Sequence, residues 1–211
     1  AGKPTLATFI FPAGVTAIGT YAFRASGLTD VQLPSTVTAV GYGNFLYCNN
    51  LRNISLPSTI SYIDKWAFGY CTALEQIDFP TSLTTIGDAA FLGSGIRQLN
   101  FPGSMVSIGK WAFQSCSNLQ NVSLPLSLTS LGAYAFTFDN ALQSFNVPAE
   151  HTLFSSWDGV LYDKLRKKLL VYPGGRGSVY QIPDGVNVID TAAFEGCSNV
   201  YEVMVPTSVH T

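Results

Sequence analysis

Apolar residues recur along this chain in one fixed phrase, and the phrase predicts its elements. In one copy, apolar Ile77 and Phe79 alternate with polar Gln76 and Asp78 up to Pro80. That is the period of a short strand with one buried face. Proline ends the strand because it has no amide to give to a ladder. Leu83, Ile86-Gly87 and Ala90-Phe91 complete the copy, and the next runs from Ile96 to Pro102, then Met105, Ile108-Gly109 and Ala112-Phe113. The glycine reads as permitting a turn closed to most side chains, and the phenylalanine as the inward wedge of each unit. Strand-closing prolines stand at Pro12, Pro34, Pro57, Pro80, Pro102, Pro125, Pro148, Pro183 and Pro206, with gaps of 22, 23, 23, 22, 23, 23, 35 and 23 residues. A fixed period in the twenties predicts a solenoid of stacked coils. No coil buries its apolar face alone, so stability is roughly a sum over coils and their interfaces.

Four cysteines share one register, Cys48, Cys71, Cys116 and Cys197, each three residues after the coil phenylalanine; Ser26, Ser94 and Asp139 fill the same slot elsewhere. This is a structural slot rather than a metal or redox constellation, because no CxxC and no zinc-type Cys/His spacing is present. Coils about 5 Å apart bring Cys48 and Cys71 within the Cα range of a disulfide. Their Cβ vectors point the same way, which disfavours the torsion, so all four read as free, buried fillers.

Composition sharpens the picture. Of 211 residues, 47% are hydrophobic and only 11% charged, and net charge is −2; about 25% charged is usual for a soluble domain. No global field attracts nucleic acid or an acidic membrane. No apolar run approaches the roughly 18 residues of a membrane span, so no membrane insertion of this segment is expected. The chain opens and stops inside repeats, with no leader peptide, as expected of an excised segment of a longer protein. One solenoid domain is expected over residues 1–211, of about eight to nine coils.

The 35-residue gap breaks the phrase. Apolar runs ending at Tyr162 and beginning at Leu169 flank a charged tip, which predicts a β-hairpin inserted near residues 154–176 in place of the Ile-Gly and Ala-Phe portion. Five of the eleven basic residues fall here: Lys164, Arg166, Lys167, Lys168 and Arg176. They read either as a basic finger for an acidic partner such as a sulfated glycan or as a solvated tip whose lysines discourage edge pairing. Gly174-Gly175-Arg176-Gly177 lacks the Lys-Ser/Thr ending and following helix of a phosphate loop.

The repeated phrase Leu-x-x-Ile-x-Leu-Pro-x-Ser-Leu-x-x-Ile-Gly-x-x-Ala-Phe-x-x-Cys resembles the BspA-like leucine-rich repeat of the Treponema pallidum type. Segments 51–71, 119–136 and 182–206 carry it most closely, and the stretch from Trp157 to Pro173 resembles an insertion common in the same family. Asn44 before Phe45, and Asp64 and Asp190 in the glycine position, depart from the pattern. The resemblance implies a right-handed leucine-rich-repeat solenoid, β-rich with short helical turns, and a parallel β-sheet along one face. It also implies secreted or surface-exposed proteins of host-associated bacteria, some of them adhesins, though a fold does not fix a function.

Candidate binding positions are columns along the stack. Two residues before the prolines stand Gln32, Asp78, Asn100 and Asn146, with Asn121 in the column four before. These amide-rich positions suit many weak contacts with a protein or glycan, and equally plain solvation. A second column, two before each Phe, contains Trp66, Trp111 and Tyr134. It reads as a stacking platform for sugars or a protein anchor, or as rings packed over smaller neighbours. Asn53-Ile54-Ser55 and Asn121-Val122-Ser123 match the glycosylation pattern but sit on strands. His151 and His210 are the only histidines, and no HExxH or GxSxG is present. The expectation is a non-catalytic extracellular or cell-surface module without cofactor or metal. It is expected to adhere to a host matrix or cell-surface protein; a carbohydrate-binding module and a passive spacer are the alternatives.

Overall fold

The computed structural model describes residues 6–210. Ala1–Thr5 and Thr211, read above as lying inside repeats, fall outside the described residues. The coils stack about eight high, and most contribute a longer strand before the proline and a shorter one before the glycine position.

In chain order the elements are β1 (Asp30–Gln32), β2 (Ala39–Val40), β3 (Asn53–Ser55), β4 (Tyr62–Ile63), β5 (Thr85–Ile86), β6 (Gln98–Asn100), β7 (Ser107–Ile108) and β8 (Asn121–Ser123). Then follow β9 (Ser130–Leu131), β10 (Ser144–Asn146), β11 (Phe154–Trp157), β12 (Val160–Asp163), β13 (Lys168–Val171), β14 (Ser178–Gln181), β15 (Val188–Ile189) and β16 (Val200–Met204). The short strands form one parallel sheet, β2-β4-β5-β7-β9, in unbroken register from Ala39 to Leu131. The longer strands form parallel ladders in three pieces: β1-β3, β6-β8-β10 and β14-β16. In β1, β3, β6 and β8 the middle residue is buried and its neighbours exposed, as period-two alternation requires.

No helix occurs among the described residues, which corrects the expected helical turns. Around each Phe the backbone alternates hand. The residues two before and two after it have positive φ: Trp66 (61°) and Tyr70 (57°) around Phe68, Trp111 (57°) and Ser115 (61°) around Phe113. Alternate amides therefore point in two directions. Trp66, Phe68 and Tyr70 donate to Asp88, Ala90 and Leu92 in the next coil, at 2.7–3.1 Å, while Ala67, Gly69 and Cys71 close turns on Asp64, Trp66 and Phe68. A left-handed residue with a side chain costs about 1–2 kcal/mol. The inter-coil hydrogen bond it permits offsets part of that cost.

The wedges form a continuous column. Phe23, Phe45, Phe68, Phe91, Phe113 and Phe136 stack in near-parallel planes with centroids 5.1–5.5 Å apart. The glycine after the isoleucine has a different reason from the one expected. Gly132 has no positive φ; instead a Cβ there would lie 2.3 Å from the Gly109 carbonyl carbon and the Lys110 nitrogen of the coil below. Close approach of two backbones selects glycine.

The long gap contains three antiparallel strands rather than one hairpin. β11 pairs with β12 across the turn Asp158-Gly159, and β12 pairs with β13 across the tip Lys164 to Lys167. β13 then rejoins the stack in parallel with β15. Tyr172 stands at the wedge position of this coil: it stacks on Phe194 at 5.1 Å and its amide donates to Ala193, as Phe113 donates to Ala135. The wedge column is interrupted between Phe136 and Tyr172, and the core divides there into two clusters. β12 is buried on both faces and serves both clusters, Leu161 entering the first and Val160 and Tyr162 the second.

Candidate functional site

Gln32, Asp78, Asn100, Asn121 and Asn146 are all exposed on the longer-strand face. The ladders align Asn100 with Ser123 and Asn146 in one column, and Asn121 with Gln98 and Ser144 in the other. Some of these polar groups serve each other: Ser144 Oγ donates to Asn121 Oδ1 at 2.7 Å, and Asn53 Nδ2 to Asp30 Oδ1 at 2.6 Å. The second bond holds the Asp30 carboxyl below the usual carboxylate range.

Asp78 lies where this face is broken. Residues 76–78 join no ladder, although the same coil stays paired behind through β4 and β5. No backbone hydrogen bond links residues 53–56 to residues 76–79 among the described residues. A groove of 760 Å³ opens here, lined by Arg52, Asn53, Ala73, Glu75, Gln76, Arg97 and Gln98. A smaller one of 260 Å³ continues it toward Ile77 and Asp78. Its strongest charges pair with each other, Arg97 with Glu75 at 3.0 Å. Sequence reasoning named Asp78 but not Arg52, Asn53, Gln76 or Arg97 as a group, because a slipped ladder leaves no mark on the phrase.

The aromatic column is organised by packing. The Tyr21 ring covers Gly43 of the next coil, where an added Cβ would lie 2.4 Å from it, and Tyr70 covers Gly93. Trp111 stacks on Tyr134 at 5.9 Å. Trp66 is joined by Tyr70 at 6.4 Å, and Tyr70 by Tyr47 at 4.9 Å. Tyr47, Tyr70 and Phe138 belong to a column two after each Phe that sequence reading missed; both columns are the left-handed positions. Stacked rings present edges rather than faces to solvent.

At the inserted tip the cations differ in their commitments. Lys168 is paired with Asp190 at 2.8 Å, and Arg176 with Asp158 at 2.7 Å. Among the described residues, Lys164 and Lys167 give their ammonium groups to the carbonyls of Ala149 and Gly185. Arg166 lies over Trp157, 4.6 Å from the ring centroid.

Buried titratable groups are structural. The thiols of Cys48, Cys71 and Cys116 donate to the carbonyls of Phe23, Phe45 and Phe91 in the preceding coil, at 2.9–3.2 Å. The cysteine slot is thus a donor position, which the sequence reading of an apolar filler overlooked. All four cysteines are free, and burial pushes their thiols up. Asp139 occupies the same slot with both carboxylate oxygens buried and without a hydrogen-bond partner among the described residues, so burial pushes its carboxyl well above the usual carboxylate range. His151 is buried, and its Nδ1 accepts the amides of Leu153 and Phe154 at 3.1 and 3.2 Å. Burial and the Lys164 charge lower its pKa. No cluster of metal-ligating residues occurs among the described residues.

A family model described as a BspA type leucine rich repeat region matches in six copies, over residues 1–116, 43–157 and 178–211. The chain belongs to this BspA-type leucine-rich repeat family. A crystal structure of a leucine-rich repeat protein from Eubacterium ventriosum superposes with a TM-score of 0.78 at 23% identity, covering 86% of this chain and 49% of that one; it shows the fold alone. A leucine rich cell surface protein from Faecalibacterium prausnitzii is similar at 28% identity and TM-score 0.67, over 86% and 56% of the two chains. The pneumococcal vaccine antigen PcpA is similar at 25% and 0.66, over 86% and 61%. This BspA-type chain therefore spans roughly half to three-fifths of the length of those structures. A search of curated proteins finds no match.

Proposed function

We propose that this BspA-type solenoid is a non-catalytic interaction module, displayed outside the cell, that adheres to a protein of a host matrix or cell surface. The observation that carries the reading is the groove in the longer-strand face, flanked by exposed Asp78, Asn100 and Gln98. Backbone groups left without a ladder need a partner, and an extended protein segment offers donors and acceptors at matching spacing. Amide side chains on rigid strands add contacts at low entropic cost. Likeness to a cell surface protein and to a vaccine antigen supports display outside the cell.

The test is surface plasmon resonance against a panel of immobilised matrix proteins, at two salt concentrations. Changing Gln76, Asp78, Gln98 and Asn100 together to alanine should weaken binding by at least about tenfold while the melting transition stays in place. Binding that survives the quadruple change would remove the groove from the interface. A second reading, carbohydrate binding, draws on the exposed Trp157 beside the basic tip.

A further inference from the structure

Trp157 lies outside both aromatic columns and is not held in a ring stack. Its side chain is 51% exposed at the end of β11. The turn that carries it, Asp158-Gly159, has both residues at positive φ, 47° and 75°, the form of a tight two-residue hairpin turn. Arg176 clamps that turn, donating to the Asp158 carbonyl and to its carboxylate. The ring is therefore presented on a fixed support.

Around it lies a concavity of 240 Å³, lined by Trp157, Tyr162 and Arg166 from the insertion and by Pro183, Asp184 and Val186 from the following coil. The volume is below the roughly 300–1,000 Å³ of pockets that take drug-sized ligands, and suits a single six-membered ring. The side-chain cations of Arg166, Lys164 and Lys167 have no carboxylate within 4.0 Å among the described residues. The tip carboxylate is already committed, Asp163 Oδ1 accepting the amides of Lys167 and Lys168. The Tyr162 hydroxyl is bonded to that of Tyr180, leaving Asp184 as the pocket's carboxylate acceptor.

We propose that this pocket binds an acidic sugar residue, a pyranose carrying sulfate or carboxylate, at the surface of a host or bacterial polysaccharide. The flat apolar face of the pyranose lies on Pro183 and on the face of Trp157 that Arg166 leaves open. Its hydroxyls donate to Asp184, and its anionic group meets Arg166 with Lys164 and Lys167 close by. An acidic peptide satisfies the cations but has no rigid ring for the indole, and a neutral sugar leaves the cations unused. The site is separate from the longer-strand groove, and the two stand or fall independently.

Isothermal titration of the whole chain with heparin, hyaluronan and neutral maltose hexasaccharides, and with hexaglutamate, tests it. Heparin distinguishes sulfate from the carboxylate of hyaluronan. At least one acidic saccharide should bind, weaken with salt, and bind more tightly than maltohexaose or hexaglutamate. Trp157→Ala and Arg166→Gln should each weaken that binding by about tenfold or more, while Lys110→Gln, the same charge change far from the pocket, leaves it unaltered. If Trp157→Ala loses its cooperative melt, Arg166→Gln decides alone. Equal binding of maltohexaose or hexaglutamate, unaltered affinity in the folded variants, or no saccharide binding at millimolar concentration overturns the assignment.

Discussion

Side chains at the left-handed positions are strained individually and tolerated collectively. Ser115 is exposed, with φ of 61°, so glycine there relieves strain without opening the core. Ser115→Gly is expected to raise stability by about 0.5–1 kcal/mol, measured by urea unfolding, while Ser115→Val lowers it; the opposite order would remove strain as the reason. Asp139 carries a pH dependence of definite sign. Its carboxyl holds a proton more tightly in the fold than in the unfolded chain, where the ordinary value is 3.8. The stability it contributes is complete below that value and is lost as pH rises through the raised folded value. Asp139→Asn keeps the size of the side chain without the ionisation, so its urea midpoint should gain on the parent progressively above about pH 4. Parallel profiles would show that Asp139 does not ionise with a shifted pKa. His151 acts in the reverse sense: its folded value lies below 6.5, so its contribution is present above 6.5 and lost as pH falls. His151→Asn should flatten that acid limb. The cysteine register was plain in the sequence, but its donor role was not, because the acceptor belongs to another coil.

Strands and turns were the most legible level. Alternation before the prolines placed every longer strand from β1 to β10 but also predicted one at 76–79, where no ladder forms; the Phe spacing placed the wedge column. The glycine was located correctly for the wrong reason: close approach between coils leaves no local signature, whereas a positive φ is a local property. Gly132→Ala should accordingly cost about 1–3 kcal/mol or more, and Phe113→Ala about 3–5 kcal/mol, both by denaturant unfolding. A loss below about 1 kcal/mol at Phe113 would mean the ring is not a core wedge. The insertion was half legible. Its charged tip stood out, yet Tyr172 went unread as the missing wedge because Val-Tyr stands for Ala-Phe. Its distance of 11 residues to Pro183, the same as from Phe91 to Pro102, was the available signal.

At the scale of the molecule, two cores meet at a seam. The larger holds the wedge column from Phe23 to Phe136, and the smaller holds Tyr172, Tyr180 and Ile182. Stability in a repeat protein is shared mainly between neighbours, so the smaller cluster should open on its own. Native-state hydrogen exchange is expected to show β14 and β16 opening at a lower free energy than β6 and β8; a single common opening energy would mean that the seam transmits full cooperativity. Binding surfaces were the least legible feature. Gln32, Asn100 and Asn146 face solvent, where packing does not dictate residue type, so sequence marks the face but not its occupant.

The strand that enters both cores has a mechanical consequence. With the wedge column interrupted, a pull along the stack crosses the seam through β12, β13 and a few polar contacts such as that from the Gly175 amide to Leu142. The load at which the molecule yields is then set there, not at the uniform interfaces between coils. Trp157 and the basic tip flank β12 at its two ends, so a tether gripping them under flow would tug on the joint whose slackening lets the molecule lengthen before its larger core gives way.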